Sequence, residues 1–579
     1  MHGRRIAAAV VIAALLAVAV TLHVVQIAGV QRISHDDTIS YLAATGHQGE
    51  FQEVVDTGRA PVAQWVPAAQ WQSFTRVDRP LPLLTIARDL GHHDIHPPVY
   101  FWLLHVWSLL VGIDLWTGPA LNLVLHALTG MVLWRLTHHL VGSTVAAWAT
   151  VAVWASLPAV AETVASTRQY SLAALLSVAF GAAFVRTRAA ASARGLVTLG
   201  ALAALGLLTL YPFGLVVAGL GLVGAIDLWW PDRRRRALSQ LGAMAAGGVA
   251  FLLCQPWLRE TLARQQEQVE TYSSDLVRTR IGVIFTDLPR FAISDVPFAV
   301  GIALLVATLV LAVLAWRARP AARPLIWLAV WVPAMLSVAY VAVLSPGAAS
   351  EARYFSIALP YVALLPALAW PVLRARPLLA LTAGVVVAAA GVNLALALRA
   401  VDPPAPATLD DDAPVVMDNL ARGVLLRLLW DAPPSAPVYA ADQQTLLETT
   451  DRWLVCDEPS PCHRRTVTLA TQVQYDATAA GQREILRVAA EVRDVRPDAP
   501  VDDLAERYRL SAPIAGAGSG SAVSTSRAGA IQAGASSTTA STMITTSTAA
   551  RNVAATASAS YGTDSQYSWR RASHQNSVK

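Results

Sequence analysis

RRIAAAVVIAALLAVAVTLHVVQIAGVQRISHDDTIS, residues 4–40, decides the fold class. Two arginines open it, an apolar run extends from Ile6 to Val30, and two adjacent carboxylates, Asp36 and Asp37, follow closely. A signal peptide has an apolar core of about 7–15 residues and a small-residue cleavage site. This run is longer and has no such site ahead of the polar sequence. It reads as an uncleaved first transmembrane helix, for which about 20 apolar residues suffice, with its N-terminus in the cytoplasm.

The rest of the chain repeats the pattern. Of 579 residues, 55% are apolar and only 14% are charged, against roughly a quarter charged in soluble proteins. Candidate spans are 6–30, 97–112, 115–135, 142–161, 169–186, 195–228, 238–257, 297–316, 325–344, 355–373 and 377–398, about eleven in all. The 97–112 segment would reach only about 24 Å as a helix, short for a bilayer. The 195–228 segment is too long for one simple helix and contains Tyr211-Pro212, where a backbone hydrogen bond is lost. It reads as one bent span or two short ones. RRRR at 233–236, RARPAAR at 317–323 and RAR at 374–376 mark cytoplasmic loops, because basic residues stay inside. Residues 31–96, 258–296, 345–354 and everything after Arg399 then lie on the far side. Eleven single spans would leave Arg135 and the Arg186–Arg194 cluster outside, which a re-entrant 97–112 and a helix broken at Pro212 would repair. The formal charge is +5 and Lys579 is the only lysine. No basic stripe with interleaved aromatics is present, so no nucleic-acid partner is expected.

The expected architecture is therefore an all-α polytopic membrane domain, residues 1–398, with a first extracytoplasmic loop at 31–96. That loop contains amphipathic FQEVV and the tryptophans Trp65 and Trp71, which suit helices lying along the membrane surface. Residues 399–511 read as a small exported α/β domain, with APVYAAD and RWLVCD as strands and EILRVAAEV and VDDLAERYRL as helices. Cys456 and Cys462 in that region suit one short disulfide loop if it is exported. Residues 512–579, rich in Ser, Thr, Ala and Gly, lack the large apolar residues needed for a core and read as a disordered tail.

Polar islands stand at the outer face: HDD at 35–37, HHDIHPPVYFWLLHVWSLLVG at 92–112, and EARYFSIALP at 351–360, with ETVASTRQYSL at 162–172 joining them if that turn lies outside. An acidic pair just after span one, HPP-aromatic opening span two, R-x-Y opening a later span, and RY before a proline-containing helix resemble the GT-C membrane glycosyltransferases. The likeness is to the bacterial branch that includes protein O-mannosyltransferases and lipid A aminoarabinose transferases. It departs from that pattern twice: the acidic pair is Asp-Asp where Asp-Glu is frequent, and TGPALNL at 117–123 lacks an arginine common early in span three.

The resemblance implies a cell-membrane, multi-pass enzyme. It would move a sugar, mannose first and arabinose next, from a polyprenyl-phosphate donor to an acceptor hydroxyl outside the membrane, with inversion. The acceptor would be a glycan, a protein or a lipid. Such a transfer needs a carboxylate to take the acceptor proton and cations where the lipid-phosphate leaving group gathers charge. Asp36 is the expected base and Asp37 its partner. Arg353, Arg168 and His96 are expected at the donor phosphate, since guanidinium binds phosphate bidentately. Tyr41, Asp94, Tyr100, Tyr170 and Tyr354 are expected around the sugar. Simpler roles compete: Ser34 or Asp36 as a helix cap, Arg353 as a flank charge, Arg168 as a snorkelling residue. No cofactor follows from the sequence; His92, His93, Asp94 and His96 leave a divalent cation open, although their spacing is loose for a ligand set. Glu267, Glu270 and Arg278 read as solvated helix charges. The rival function is a multi-pass transporter or a lipid-linked-glycan flippase, which would carry charges near the midplane.

Overall fold

The structure, a computed structural model, describes residues 2–30, 32–267, 280–281, 298–342, 352–372, 391, 394–395, 398 and 413–512, apart from 457, 464, 473–475 and 499–504. The expected span 377–398 lies largely outside the described residues, as do Glu270, Arg278 and residues 513–579 of the expected tail.

The chain opens with α1 (His2–Ala28), then five helices at one end of the molecule: α2 (His35–Thr45), α3 (Gln48–Thr57), α4 (Ala68–Gln72), α5 (Leu83–His93) and α6 (Val99–Val111). A bundle follows, made of α7 (Thr117–Val141), α8 (Thr144–Ala155), α9 (Pro158–Ala165), α10 (Tyr170–Ala189), α11 (Ala193–Leu207), α12 (Phe213–Asp227) and α13 (Pro231–Cys254). Beyond α14 (Leu258–Glu267) come α15 (Phe298–Ala318), α16 (Arg323–Ala342) and α17 (Leu359–Ala369). Five described helices are long and apolar enough to cross a membrane, or six if the bent pair α8–α9 is one span. Pro158 starts α9 and the pair bends by 64°. Leu253, Val197 and Leu110 are more than 70% exposed on the helix surfaces, a pattern suited to lipid rather than water.

The long apolar segment 195–228 is two helices. The chain turns at Leu208–Pro212 and α12 returns, so that Asp227 meets Arg188 at the end of α10, with N–O distances of 2.5 and 2.8 Å. Arg236 of the RRRR cluster donates to the Ala189 carbonyl at 2.9 Å. Helix α16 runs antiparallel to α12, Trp327 donating to Gly219 O and Trp331 to Leu215 O, which brings Arg323 to the same end. The arginine clusters at 186–194, 233–236 and 317–323 therefore gather together. Arg135, near the C-terminus of α7, points the chain the same way.

Helix α6 does not follow this direction. The Val99 N–H donates to Leu208 O at 3.0 Å and Trp107 Nε1 donates to Thr117 O at 2.9 Å. Both partners sit at the end opposite the arginines, so this 13-residue helix lies along that end. Its length forced this: it is too short to cross a bilayer.

At the same end, residues 413–512 form a mixed sheet of β2 (Val415–Met417), β3 (Pro437–Ala440), β4 (Val467–Gln472), β5 (Val495–Pro497) and β6 (Ala505–Leu510), with β1 (Trp65–Pro67) supplied by the first polar segment. The order is β1-β3-β2-β4-β6-β5. Strand β2 pairs in parallel with β3 and β4; the other pairings are antiparallel. Helices α18 (Arg422–Leu428), α19 (Gln443–Glu448) and α20 (Asp476–Val492) accompany it.

Some local readings change. The RWLVCD stretch is one wide helical turn, Cys456 N–H reaching Asp451 O at 3.2 Å, and Cys456 is bonded to Cys462. AERYRL is β6 rather than helix, because a six-residue ladder with β4 overrides its helical propensity. Trp71 is fully buried against Phe51 and Phe74 and Trp65 donates to Arg452 O. These tryptophans hold the first polar segment to the sheet.

Candidate active site

Helix α2 is capped by Ser34, whose hydroxyl accepts the Asp37 N–H at 3.0 Å. The cap thus falls to the serine, and both carboxylates are released from it. Successive helix positions point about 100° apart, and the two aspartates accordingly meet different partners. Asp36 bridges two arginines. Its Oδ1 accepts from Arg168 Nη2 at 2.6 Å and its Oδ2 from Arg353 Nη2 at 2.7 Å. His35 Nδ1 lies 3.6 Å away. Asp37 is buried and takes the Thr167 backbone N–H on Oδ1 at 2.6 Å.

These environments drive the two acids apart. Burial opposes ionisation of Asp36, but the charges of Arg168 and Arg353 and the His35 contact outweigh it and hold the carboxyl well below its ordinary range. Burial raises Asp37, and the Ser34 and Thr167 hydrogen bonds offset this only in part.

Arg168 sits in the turn between α9 and α10. That turn packs so closely on the start of α7 that a Cβ at Gly118 would collide with Thr167. Arg168 is buried, and its Nη1 has no hydrogen-bond partner among the described residues. Arg353 comes from the 3-10 turn Ala352–Ile357, and its guanidinium lies 5.6 Å from the Tyr170 ring centroid. Tyr170 and Tyr354 meet edge to face at 5.9 Å.

A second charged group lies beside the first. Asp94 ends α5, is buried, and accepts from Arg422 Nη2 at 2.8 Å, from the Ile95 N–H at 2.7 Å, and faces His96 Nδ1 at 2.6 Å. Burial opposes its ionisation, yet Arg422 and His96 hold Asp94 far below the ordinary range. Arg422 belongs to α18, and its neighbour Gly423 packs on the His35 ring so tightly that a Cβ there would clash. Residues 422 and 423 therefore touch both charged groups.

The structure thus brings together Asp36, Asp37, Arg168, Arg353, Tyr170 and Tyr354, with Asp94 and His96 alongside. It gives Tyr41 and Tyr100 other surroundings. Both are fully buried. The Tyr41 hydroxyl donates to Asp114 O at 2.9 Å and accepts the Gly118 N–H at 2.8 Å, while the Tyr100 hydroxyl donates to Asn122 Oδ1 at 3.3 Å. Among the described residues no group of three or more His, Cys, Asp or Glu is placed to hold a metal ion. His92 instead bonds Arg88 O and approaches Glu260 at 3.7 Å. Arg422, Thr167 and Gly423 escaped the sequence reading. Arg422 stands in an ordinary amphipathic stretch, NLARGVLLRLL, which carries no signal of its partner.

Comparison with known proteins gives the following. Residues 95–259 match the family described as dolichyl-phosphate-mannose-protein mannosyltransferase; His96, Arg168 and Tyr170 fall inside the match. No curated protein matches the chain. Among solved structures, ArnT from Cupriavidus metallidurans bound to undecaprenyl phosphate is 14% identical with a TM-score of 0.47, covering 86% of this chain and 97% of that one. The Archaeoglobus fulgidus oligosaccharyltransferase complex with zinc and sulfate is 11% identical with a TM-score of 0.39, covering 84% and 72%. The same organism's AglB with an inhibitory peptide and a dolichol-phosphate is 10% identical with a TM-score of 0.38, covering 83% and 72%. Residues 95–259, which hold the HPP and R-x-Y motifs, are thus similar to the family described as dolichyl-phosphate-mannose-protein mannosyltransferase.

Proposed function

We propose that the chain is an integral-membrane glycosyltransferase that moves a sugar, mannose in the first instance, from a polyprenyl-phosphate donor to an acceptor hydroxyl on the extracytoplasmic side, with inversion. The observation that carries this reading is the bridge of Asp36 between Arg168 and Arg353. Two guanidinium groups held by a carboxylate form a ready anion site, and the unpartnered Arg168 Nη1 adds a donor.

The donor phosphate competes with Asp36 for both arginines. As it binds, Asp36 loses countercharge and its proton affinity rises, so the base is strengthened only when donor is present. The acceptor oxygen then attacks the anomeric carbon and its proton passes to Asp36. The bond from the anomeric carbon to the phosphate oxygen breaks, and the electron pair leaves with the polyprenyl phosphate. Arg168 and Arg353 neutralise the charge that grows there. Asp37 fixes the 166–169 turn through Thr167, and His96, oriented by Asp94, lies near the donor. Tyr170 and Tyr354 flank Arg353.

Sidedness has its own support. Helix α10 has 20 residues, about 30 Å of rise and the thickness of a bilayer core. The Asp36 group stands at its N-terminal end and the arginine clusters at its C-terminal end. Basic residues favour the cytoplasm, which supports an extracytoplasmic position for the charged site. The Cys456–Cys462 disulfide on the site's side suits an oxidising compartment. A transporter or flippase would need its charges near mid-bundle; the paired charges described here stand at the ends, Asp36 and Asp94 at one and Asp227 with Arg188 at the other.

The test uses membranes containing the protein, supplied with radiolabelled polyprenyl-phosphate mannose or arabinose. Transfer by the wild type, lost in Asp36→Asn at equal protein level, supports the reading. Equal transfer with and without the protein overturns it.

A further inference from the structure

A cleft of about 720 Å³ opens between the first polar segment, the end of α6 and the segment after α18. Gln72, Arg76, Ser108, Asp114, Trp430 and Asp431 supply its polar and aromatic lining. We propose that this cleft binds the acceptor, and that the acceptor is a neutral oligosaccharide. This rests on the transferase reading above and names its second substrate.

The chemistry of the walls decides the class of ligand. A pyranose or furanose ring has an apolar C–H face and an edge of hydroxyls. The half-buried indole of Trp430 offers a flat apolar surface for the first. Carboxylates, an amide, a guanidinium and a hydroxyl offer acceptors and donors for the second. A lipid acceptor would want a continuous apolar wall, and here charged and uncharged polar groups interrupt it. The volume lies in the range of pockets for small organic ligands and suits a few sugar units.

The walls are held in place without the ligand. Gln72 Nε2 donates to Leu429 O and Ala432 O, both at 2.8 Å, and so ties the first polar segment to the C-terminal one. The Asp114 carboxylate is fixed by the Leu115 N–H at 2.6 Å and Trp116 Nε1 at 3.2 Å. Pro433 and Pro434 stiffen the far lip.

The helix of the acidic pair reaches the cleft wall through Tyr41. Tyr41 follows Asp37 by one helical turn, about 6 Å along α2. Its hydroxyl bonds the backbone of Asp114 and its ring lies 5.5 Å from that of Trp430. Tyr41 thus joins the helix that carries the carboxylates to two residues of the cleft wall, Asp114 and Trp430, and a reacting oligosaccharide seated on Trp430 must reach past it. This gives fully buried Tyr41 a role: it supports the boundary between the acceptor cleft and the acidic pair.

The test is saturation-transfer NMR on the whole protein in nanodiscs with three probes: mannotriose, arabinotriose and a serine/threonine-rich peptide. The variants are Trp430→Ala and the exposed-residue changes Arg76→Ala and Asp431→Asn, which leave the core untouched. One of the trisaccharides is expected to bind, with Kd raised about tenfold or more in Trp430→Ala and raised in at least one of the other two. The proposal is overturned if neither trisaccharide binds the wild type, if all three variants bind as the wild type does, or if only the peptide binds through Trp430. The transferase reading is judged separately. Binding through Trp430 with no sugar transfer sinks that reading and leaves the cleft; transfer with an unchanged acceptor KM in all three variants sinks the cleft and leaves the reading.

Discussion

Arg422 donates to the Asp94 carboxylate at 2.8 Å across 328 residues of sequence. Asp94 is buried, so its charge depends on that arginine. Removing one partner of a buried pair costs about 3–5 kcal/mol because the other charge is left uncompensated. Arg422→Ala should therefore lower the melting temperature clearly, and the double variant Arg422→Ala, Asp94→Asn should recover much of the loss. Differential scanning fluorimetry in detergent measures both; a double variant no better than the single would show that the pair is not coupled.

Asp36→Asn leaves Arg168 and Arg353 facing a neutral amide. Transfer should fall by about 10²–10⁴-fold, the range of a lost general base. Donor affinity should move the other way and tighten, since the phosphate no longer competes with a carboxylate. Binding of a radiolabelled polyprenyl phosphate to purified variant and wild type reads this directly. Weaker donor binding in Asp36→Asn would contradict the competition.

Asp37 and Asp94 should respond to pH with opposite signs. Burial raises Asp37 above its unfolded value near 3.9, so the folded state binds its proton more readily. Its ionisation lowers stability, progressively as pH rises from the unfolded pKa through the folded one. Asp94 is depressed against its burial by Arg422 and His96. Its contribution is present above the unfolded pKa and is lost as pH falls through the folded one. At pH 7, Asp37→Asn should raise the melting temperature and Asp94→Asn should lower it. The Asp37→Asn difference should shrink as pH falls from the raised folded pKa toward about 4, whereas the Asp94→Asn difference should persist at pH 4 and shrink only below it. Melting curves of the two variants at pH 4 and pH 7 check the signs.

Cys456 and Cys462 close a loop with a sequence separation of 6. A loop this short gives roughly 2 kcal/mol of stabilisation by the chain-entropy account. Cys456→Ala, Cys462→Ala should therefore raise amide exchange in β4 and α20, which pack around the bond, while α10 and α13 stay protected. Equal exchange throughout would show that the bond contributes little to this domain.

Much of the molecule was legible because bilayer crossing is a local property. An apolar run either reaches about 30 Å or falls short, so segment 97–112 announced its awkwardness by length alone and became α6, lying at one end. Tyr211-Pro212 likewise marked a break in 195–228. What the residues could not say was that this break is a hairpin, since a bent span and two short spans read alike until Asp227 is seen against Arg188. AERYRL was misread for the related reason that strand formation depends on a partner, here β4, supplied by another part of the chain.

The sequence by itself determined the membrane character and the kind of side chain that stands in the polar islands: paired carboxylates, histidines before a double proline, and arginines beside tyrosines. Tertiary structure alone decided that Asp36 bridges Arg168 and Arg353 while Asp37 turns to Thr167, that Arg422 reaches Asp94, and that the Tyr41 and Tyr100 hydroxyls bond Asp114, Gly118 and Asn122. The physical reason is range. Hydropathy and helix caps are set by neighbours within a few turns, whereas an ion pair forms only where folding brings distant segments within about 3 Å of each other.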